Sequence, residues 1–477
     1  MEAEILNLKS SNLLVEIFKE MMPLIIAATL LFLYYKKRIN IVETFLYAFA
    51  SEAYTMISVG PTFTASFFVS AFIMVEQLHQ LFTGRLYIRN SYLWLLLMPL
   101  ILQVSVMMIA AFYKNPFEWS GSGTSFYLRP IYFYLKTYIP MFSIGSKIVQ
   151  DRHSLSFEAF TNTMMRIAVF SCWIGVIQLF VLVIMKNQIL GQLLGLQERY
   201  MVQQINGPLG IRIQAFFAEP KVFSAFMSIT IPIFLHNRKY RYAIWAFVMA
   251  TITSSQTFWT NILSAAIVFL LLSRWPVVRM KILASLGIIV ALFMFVAGMK
   301  DVMMKLYLKN RNQPIYQMLL QRSVDRYDTK FWQQDNVYLG IPLQRDMELP
   351  VVNFLEDNPY LLVTGYGPGN SMFIPGSYFN GNLRYENRFE GVGGHNLNMR
   401  WFYVLAEYGL VGLSFIFWLV TRTRPGLSQF QKNYLAFIAV CFFFSQIDLF
   451  LLMTSLLCVY GEISPSLHSE EAITALA

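Results

Sequence analysis

Apolar runs of about 17–25 residues recur along the whole chain, and each is long enough to cross a hydrocarbon core of roughly 30 Å as an α-helix. Spans are predicted at 21–35, 41–59, 61–83, 92–113, 126–147, 165–186, 219–235, 241–255, 256–273, 280–299, 398–421 and 433–460. Of the 477 residues, 56% are hydrophobic and only 13% charged, against about a quarter charged in a soluble domain. The expected fold class is therefore an all-α polytopic membrane protein of about 12 transmembrane helices. Residues 1–299 carry ten of them, with a short external loop at about 186–221. A large, partly helical external (periplasmic) loop follows at 300–397, then two further helices within 398–460 and a tail at 461–477.

The net charge of +10 raises the question of nucleic acid, but the distribution of the basic residues answers it. Lys36, Lys37 and Arg38; Arg85 and Arg89; Lys147 and Arg152; Arg238, Lys239 and Arg241; Arg274, Arg279 and Lys281; and Arg422, Arg424 and Lys432 all occupy short connections that the predicted spans put on one side. An excess of Lys and Arg in short loops marks the cytoplasmic side. The 300–397 segment, on the other side, is electrically balanced. The basicity is a topology signal, and no nucleic-acid partner is expected.

Cys172, Cys441 and Cys458 all fall inside predicted spans, without the spacing of a zinc site or a disulfide framework. The N-terminal residues lack a basic region followed by a small-residue cleavage site, so the first span is expected to anchor the chain itself. No GxxxxGK[ST] loop, HExxH pair or Gly-x-Ser-x-Gly elbow is present, so the sequence points to no nucleotide, metal or other cofactor. A bond-forming reaction here needs a substrate that arrives already activated.

Leu190, Leu193, Leu194, Leu196, Met201 and Val202 in the 186–221 loop suit a helix lying flat in the membrane interface. In the long loop, Gly365-Tyr366-Gly367-Pro368-Gly369-Asn370 reads as a turn in which glycine supplies φ > 0. Aromatic residues recur there, Tyr366 among them. Their faces can stack on sugar rings, or they can pack a small cap.

Four basic positions and a histidine are candidates for chemistry. His395, in Gly393-Gly394-His395-Asn396, has the one side chain whose ordinary pKa lies near neutrality, and so can take a proton from an attacking hydroxyl; it can equally cap the helix that follows. Arg212, just before a span, can grip a diphosphate in two places or snorkel to headgroups. Arg129 and Lys136 lie seven residues apart inside one span, where a cation faces a cavity or a partner. Arg388 is a possible substrate contact in the loop.

Taken together, these residues resemble the bacterial O-antigen ligase and O-antigen or exopolysaccharide polymerase family. The resemblance is carried by Arg212 followed by Phe217-x-Glu219-Pro220, by Gly365-x-Gly367-x-Gly369, and by His395-Asn396 with Glu407-x-Gly409-x-x-Gly412 opening the next span. The late placement of one large external loop matches as well. One departure stands out: where many members have a Thr-x-Ser-Arg run, this chain has Thr253-Ser254-Ser255-Gln256, and Lys136 or a loop arginine would have to supply the missing charge.

The resemblance implies a metal-independent glycosyltransferase of the bacterial inner membrane, working on its periplasmic face. Its partners would be an oligosaccharide joined through a diphosphate to a polyprenol, and membrane lipid; a polysaccharide chain-length regulator is a further implied partner. A polymerase joins such repeat units into O-antigen, common antigen or exopolysaccharide, whereas a ligase passes the polymer to lipid A-core. The resemblance makes His395 and Arg212 catalytic, and Arg129, Lys136, Glu219, Tyr366 and Arg388 substrate-binding, with Glu407 mainly structural. A lipid-linked sugar transporter is the reading from another class.

Overall fold

The structure is a computed structural model. It describes residues 2–57, 62–86, 139–140, 142–150, 156–181, 185, 188–196, 213–253, 255–272, 278, 280–287, 305–306, 308–309, 337–338, 341–342, 349–366, 378, 400–421, 426–445 and 447–460. These are mostly helical. In chain order the elements are α1 (Glu2–Tyr35), α2 (Ile41–Phe49), β1 (Thr55–Ile57), β2 (Thr62–Thr64), α3 (Ala65–Phe82), α4 (Phe157–Phe180), α5 (Gln188–Leu193), α6 (Pro220–His236), α7 (Tyr240–Ile252) and α8 (Gln256–Leu271). After them come β3 (Val337–Tyr338), β4 (Ile341–Pro342), α9 (Leu349–Asp357), α10 (Leu361–Thr364), α11 (Arg400–Thr421), α12 (Gln429–Phe444) and α13 (Asp448–Tyr460). Both strand pairs are short antiparallel hairpins, with Thr55 opposite Thr64 in the first and Val337 opposite Pro342 in the second.

Among the described residues three helical segments are long and apolar enough to cross a membrane: Ile17–Tyr35, Ala65–Phe82 and Phe157–Phe180. Their surfaces agree with that. Phe170, Trp173, Ile177 and Phe180 on α4 are exposed, as are Phe72, Val75 and Phe82 on α3. Large apolar side chains turned outward on this scale belong against lipid.

Inside the bundle the packing follows small residues. On α7, Ala243, Ala246 and Ala250 are buried while Ile244 and Val248 face out; on α6, Ser224, Ala225 and Ser228 are buried. Without a hydrophobic drive between helices in lipid, close van der Waals approach holds them together, and small side chains permit it. A β-carbon on Gly175 of α4 would lie 2.7 Å from Met249 Cε, so α4 and α7 meet through that gap. Polar pairs reinforce the centre. Asn261 of α8 donates to Ser228 Oγ and accepts from Ser445 Oγ, both at 2.8 Å, and Tyr434 donates to the Ile229 carbonyl at 2.9 Å.

The basic connections gather at one end. His236, at the end of α6, stacks on Phe430 at the start of α12 (3.8 Å between ring centres), and Phe157 at the start of α4 approaches the same ring. Gln429 donates to the Leu272 carbonyl just past α8 at 3.1 Å. Side-chain caps close several helix ends: Asn40 and Ser428 form full capping boxes with Glu43 and Gln431, satisfying N–H groups that a helix leaves unpaired.

Several predicted spans differ from the structure. The 41–59 run is not one helix: α2 ends at Phe49, and the chain turns and enters β1. The 433–460 run is two helices broken at 445–447, and 398–421 is broken at Gly409 (φ 60°, ψ −171°). Hydropathy counts side chains and is blind to where the backbone turns. The 92–113 span lies outside the described residues, as does most of 126–147.

Candidate functional site

Two constructions occupy the end of the bundle opposite the basic connections. The first joins two of the glycine patterns. Asn358-Pro359-Tyr360 starts the single turn of α10, and Gly365 ends it at φ 75°, ψ 164°, a left-handed value that suits glycine. The next N–H, that of Tyr366, donates to the Ala406 carbonyl of α11 at 2.7 Å. The break at Gly409 interrupts the helical ladder of α11, and the loop supplies a donor to a carbonyl beside that break. A β-carbon on Gly409 would sit 2.5 Å from the Gly365 nitrogen and 2.6 Å from the Val363 carbonyl oxygen; one on Gly365 would fall within 2.7 Å of the Tyr408 carbonyl carbon. Backbone meets backbone here, and neither side can move aside. Gly412 leaves room for the Tyr408 side chain one turn back, and Tyr408 packs onto the main core. Glu407 is buried. Each fixed position of Glu407-x-Gly409-x-x-Gly412 thus has a place in this knot.

Tyr366 is buried, edge-on to Phe354 at 5.1 Å, and Phe354 in turn meets Tyr378 edge-on at 5.5 Å. Burial, with a smaller contribution from Tyr360, pushes the Tyr366 phenol well above its ordinary pKa. Tyr378 donates to Asp357 Oδ2 at 2.9 Å; burial and that carboxylate raise its pKa as well. Both phenols stay protonated through the neutral range. These rings form a small cap over the knot.

The second construction is a clamp centred on Gln178, near the end of α4. Its amide nitrogen donates to the carbonyls of Leu194 (2.9 Å) and Ala215 (2.8 Å), and its oxygen accepts from the N–H groups of Gln214 (3.2 Å) and Ala215 (2.9 Å). All four positions of one side-chain amide are in use. Gln214 adds a bond from its nitrogen to the Gly195 carbonyl at 2.6 Å, while its own Oε1 is buried with no partner among the described residues. The Ala53 N–H reaches the Phe216 carbonyl at 2.7 Å, and the Tyr54 hydroxyl reaches that of Leu193 at 2.7 Å. Burial pushes the Tyr54 phenol up to about 12, so it too remains a donor. Ala215 has φ 48°, a conformation costing about 1–3 kcal/mol in a non-glycine residue, and the clamp holds it there from both its N–H and its C=O.

The helix expected from Leu190 to Val202 in the 186–221 loop falls only partly on described residues, since 197–212 lie outside them. The described parts are a six-residue helix, Gln188–Leu193, and an irregular stretch, 213–219, in which Ile213, Ala215 and Phe217 are fully buried. Irregular backbone can sit at depth because side-chain amides satisfy its polar groups.

Of the residues singled out from sequence, Glu219 is the N-cap of α6, half-buried, with Pro220 in the first helical turn, where proline's missing N–H costs nothing. Tyr366 and Glu407 belong to the knot. His395, Arg212, Arg129, Lys136 and Arg388 lie outside the described residues. Gln178 and Gln214 were not anticipated; the available signal was an amide in the middle of an apolar run, which needs a partner at that depth. Among the described residues no three of His, Cys, Asp and Glu gather as metal ligands would. Set against protein-family models, curated proteins and solved structures, the chain matches none.

Proposed function

We propose that this chain is a metal-independent glycosyltransferase that polymerises polyprenyl-diphosphate-linked oligosaccharide repeat units into a surface polysaccharide, at the outer face of the bacterial inner membrane. The observation that carries this reading is the knot. Gly365 and Gly409, one from each of the two glycine patterns that resemble the family, are about 40 residues apart in sequence and meet backbone to backbone, and the stretch they bracket contains His395. The clamp adds support, because it fixes the chain directly after Arg212.

In this reading the acceptor hydroxyl attacks the anomeric carbon of the donor sugar. The new glycosidic C–O bond forms as the bond to the diphosphate breaks, and the polyprenyl diphosphate leaves with the electron pair. His395 removes the acceptor proton. Arg212, with Arg129 or Lys136, holds the diphosphate and stabilises its growing charge; losing one such preorganised contact costs about 2.7–4 kcal/mol of barrier. Glu219 and Glu407 orient these groups.

A second reading has its own support. Helix breaks such as those at Gly409 and 445–447 also occur in transporters, which would make this an exporter of lipid-linked sugar. One assay separates the readings. Purified protein receives a lipid-diphosphate-linked repeat unit alone, with EDTA present, and the products are resolved on a gel. A ladder that disappears in His395→Ala is the expected result. Product only when lipid A-core is added would make the enzyme a ligase, and movement of the substrate across a vesicle without new linkages would make it a transporter.

A further inference from the structure

At the basic end, far from the knot and the clamp, α3, the turn that follows it and the helical stretch 142–150 border an open cavity of about 600 Å³ lined by Glu76, His79, Gln80, Arg85, Lys147 and Gln150. Among the described residues its one carboxylate, Glu76, is engaged on both oxygens. Glu76 accepts from Lys147 Nζ at 2.8 Å, from Gln80 Nε2 at 3.0 Å and from the Tyr35 hydroxyl. Lys147 is therefore balanced by Glu76. Arg85 has no carboxylate within ion-pair distance among the described residues, and it is exposed at the mouth with His79. Among the described residues the cavity thus presents a guanidinium with no carboxylate partner, an imidazole and two amides, a donor set for an oxygen-rich anion.

What lies beside the cavity narrows the ligand. On α3, Phe72, Val75, His79 and Phe82 fall at spacings of three and four, so they share one helical face. Phe72, Val75 and Phe82 are exposed. Phe32 and Tyr35 of α1 are exposed next to them, and the Tyr35 and Phe72 rings touch edge-on at 6.1 Å. An apolar track therefore runs from the polar cavity toward the middle of the membrane, about 10 Å over the seven residues from His79 back to Phe72. A free anion has no use for such a track; an anionic headgroup with acyl chains fits both parts.

We propose that this cavity is a binding site for the phosphate headgroup of an anionic phospholipid, with Arg85 as its main contact and the Phe72–Val75 face receiving an acyl chain. Basic pockets between transmembrane helices recognise lipid headgroups in this way. The proposal is independent of the glycosyltransferase reading.

The test uses the full-length protein, delipidated in detergent, with binding read by native mass spectrometry. Phosphatidylglycerol, phosphatidylethanolamine and glycerol 3-phosphate are the probes, and Arg85→Gln and Arg85→Glu are compared with Arg166→Gln. Arg166 is an exposed arginine on another helix, so it controls for general charge. Phosphatidylglycerol should bind at least fivefold more tightly than phosphatidylethanolamine, with Arg85→Gln removing most of that preference, Arg85→Glu all of it and Arg166→Gln none. Thermal midpoints of the variants, matched to the parent, show that they are folded. Glycerol 3-phosphate binding as tightly as the lipid would reassign the site to a free phosphate ester. Equal loss in Arg166→Gln, or no preference in the parent, would overturn the proposal.

Discussion

The two ends of this bundle are held by different physics. At the basic end, helices are tied by charge and by side-chain caps: Lys147 to Glu76, with Tyr35 and Gln80 on the same carboxylate, and the capping boxes at Asn40 and Ser428. At the opposite end, the described contacts of the knot and clamp are between uncharged groups: backbone against backbone at Gly365 and Gly409, and one amide serving four backbone groups at Gln178. Charged ties tolerate small shifts and respond to salt. Steric and amide ties tolerate almost no change in shape, but salt barely touches them. Among the described residues, the end with the knot and the clamp is thus the one held by shape and by uncharged hydrogen bonds.

The strongest attack on this contrast is Gly409→Val. It adds backbone strain at φ 60° and an overlap that neither chain can relieve, together about 4 kcal/mol. Loss of the folded population in detergent, with early proteolysis between α10 and α11, is the expected outcome; a parent-like melt would mean that the knot does not hold this end. Gln178→Leu comes next. It leaves the 214 and 215 N–H groups and two carbonyls without their partner, at about 3 kcal/mol, and if Arg212 grips the diphosphate, transfer should fall as well. Gln178→Glu keeps the acceptor and loses the donors, so it should sit between leucine and the parent.

Lys147→Met tests the other end. Its ion pair is partly exposed, 11% and 24% for the two side chains, so the cost should be roughly 2 kcal/mol, below that of a fully buried pair. The sharper readout is salt: raising ionic strength should narrow the gap between parent and Lys147→Met, and should leave the gap for Gln178→Leu unchanged. Smallest is Asn261→Leu in the middle of the bundle, where polar pairs between helices contribute about 1 kcal/mol. A small fall in thermal midpoint, with no change in its salt dependence, would place this pair with the uncharged ties.

Much of this was legible in the sequence, unevenly. The limits of α6, α7 and α8 follow from Glu219-Pro220, from the basic turn after His236 and from the Thr253–Ser255 interruption, and the structure agrees to within about three residues. Proline, charge and small hydroxyls announce a helix end locally. The break in α11 was not legible, because Gly409 in an apolar run looks like any glycine in a membrane helix; only its contact with a segment some 40 residues earlier in sequence makes it a turn. Gln178 was missed for the same reason. Its partners come from two separate stretches, at Leu194 and at Gln214-Ala215, and no local window contains them. The site was legible as a set of patterns; the contacts that assemble the described part of it are long-range.

The hydrogen bond from Tyr366 to Ala406 closes a ring in the chain, and that has a consequence for how this protein can vary. Everything from 367 to 405 hangs from a fixed base. Lengthening a loop whose ends are already held together is inexpensive, about 0.6 kcal/mol for each doubling. Insertions between Tyr366 and the start of α11 at Arg400 should therefore pass without disturbing the bundle, provided that the glycines at the base are kept. Such a chain can diversify this interval while its bundle stays constant, in the manner of an interchangeable head on a common handle.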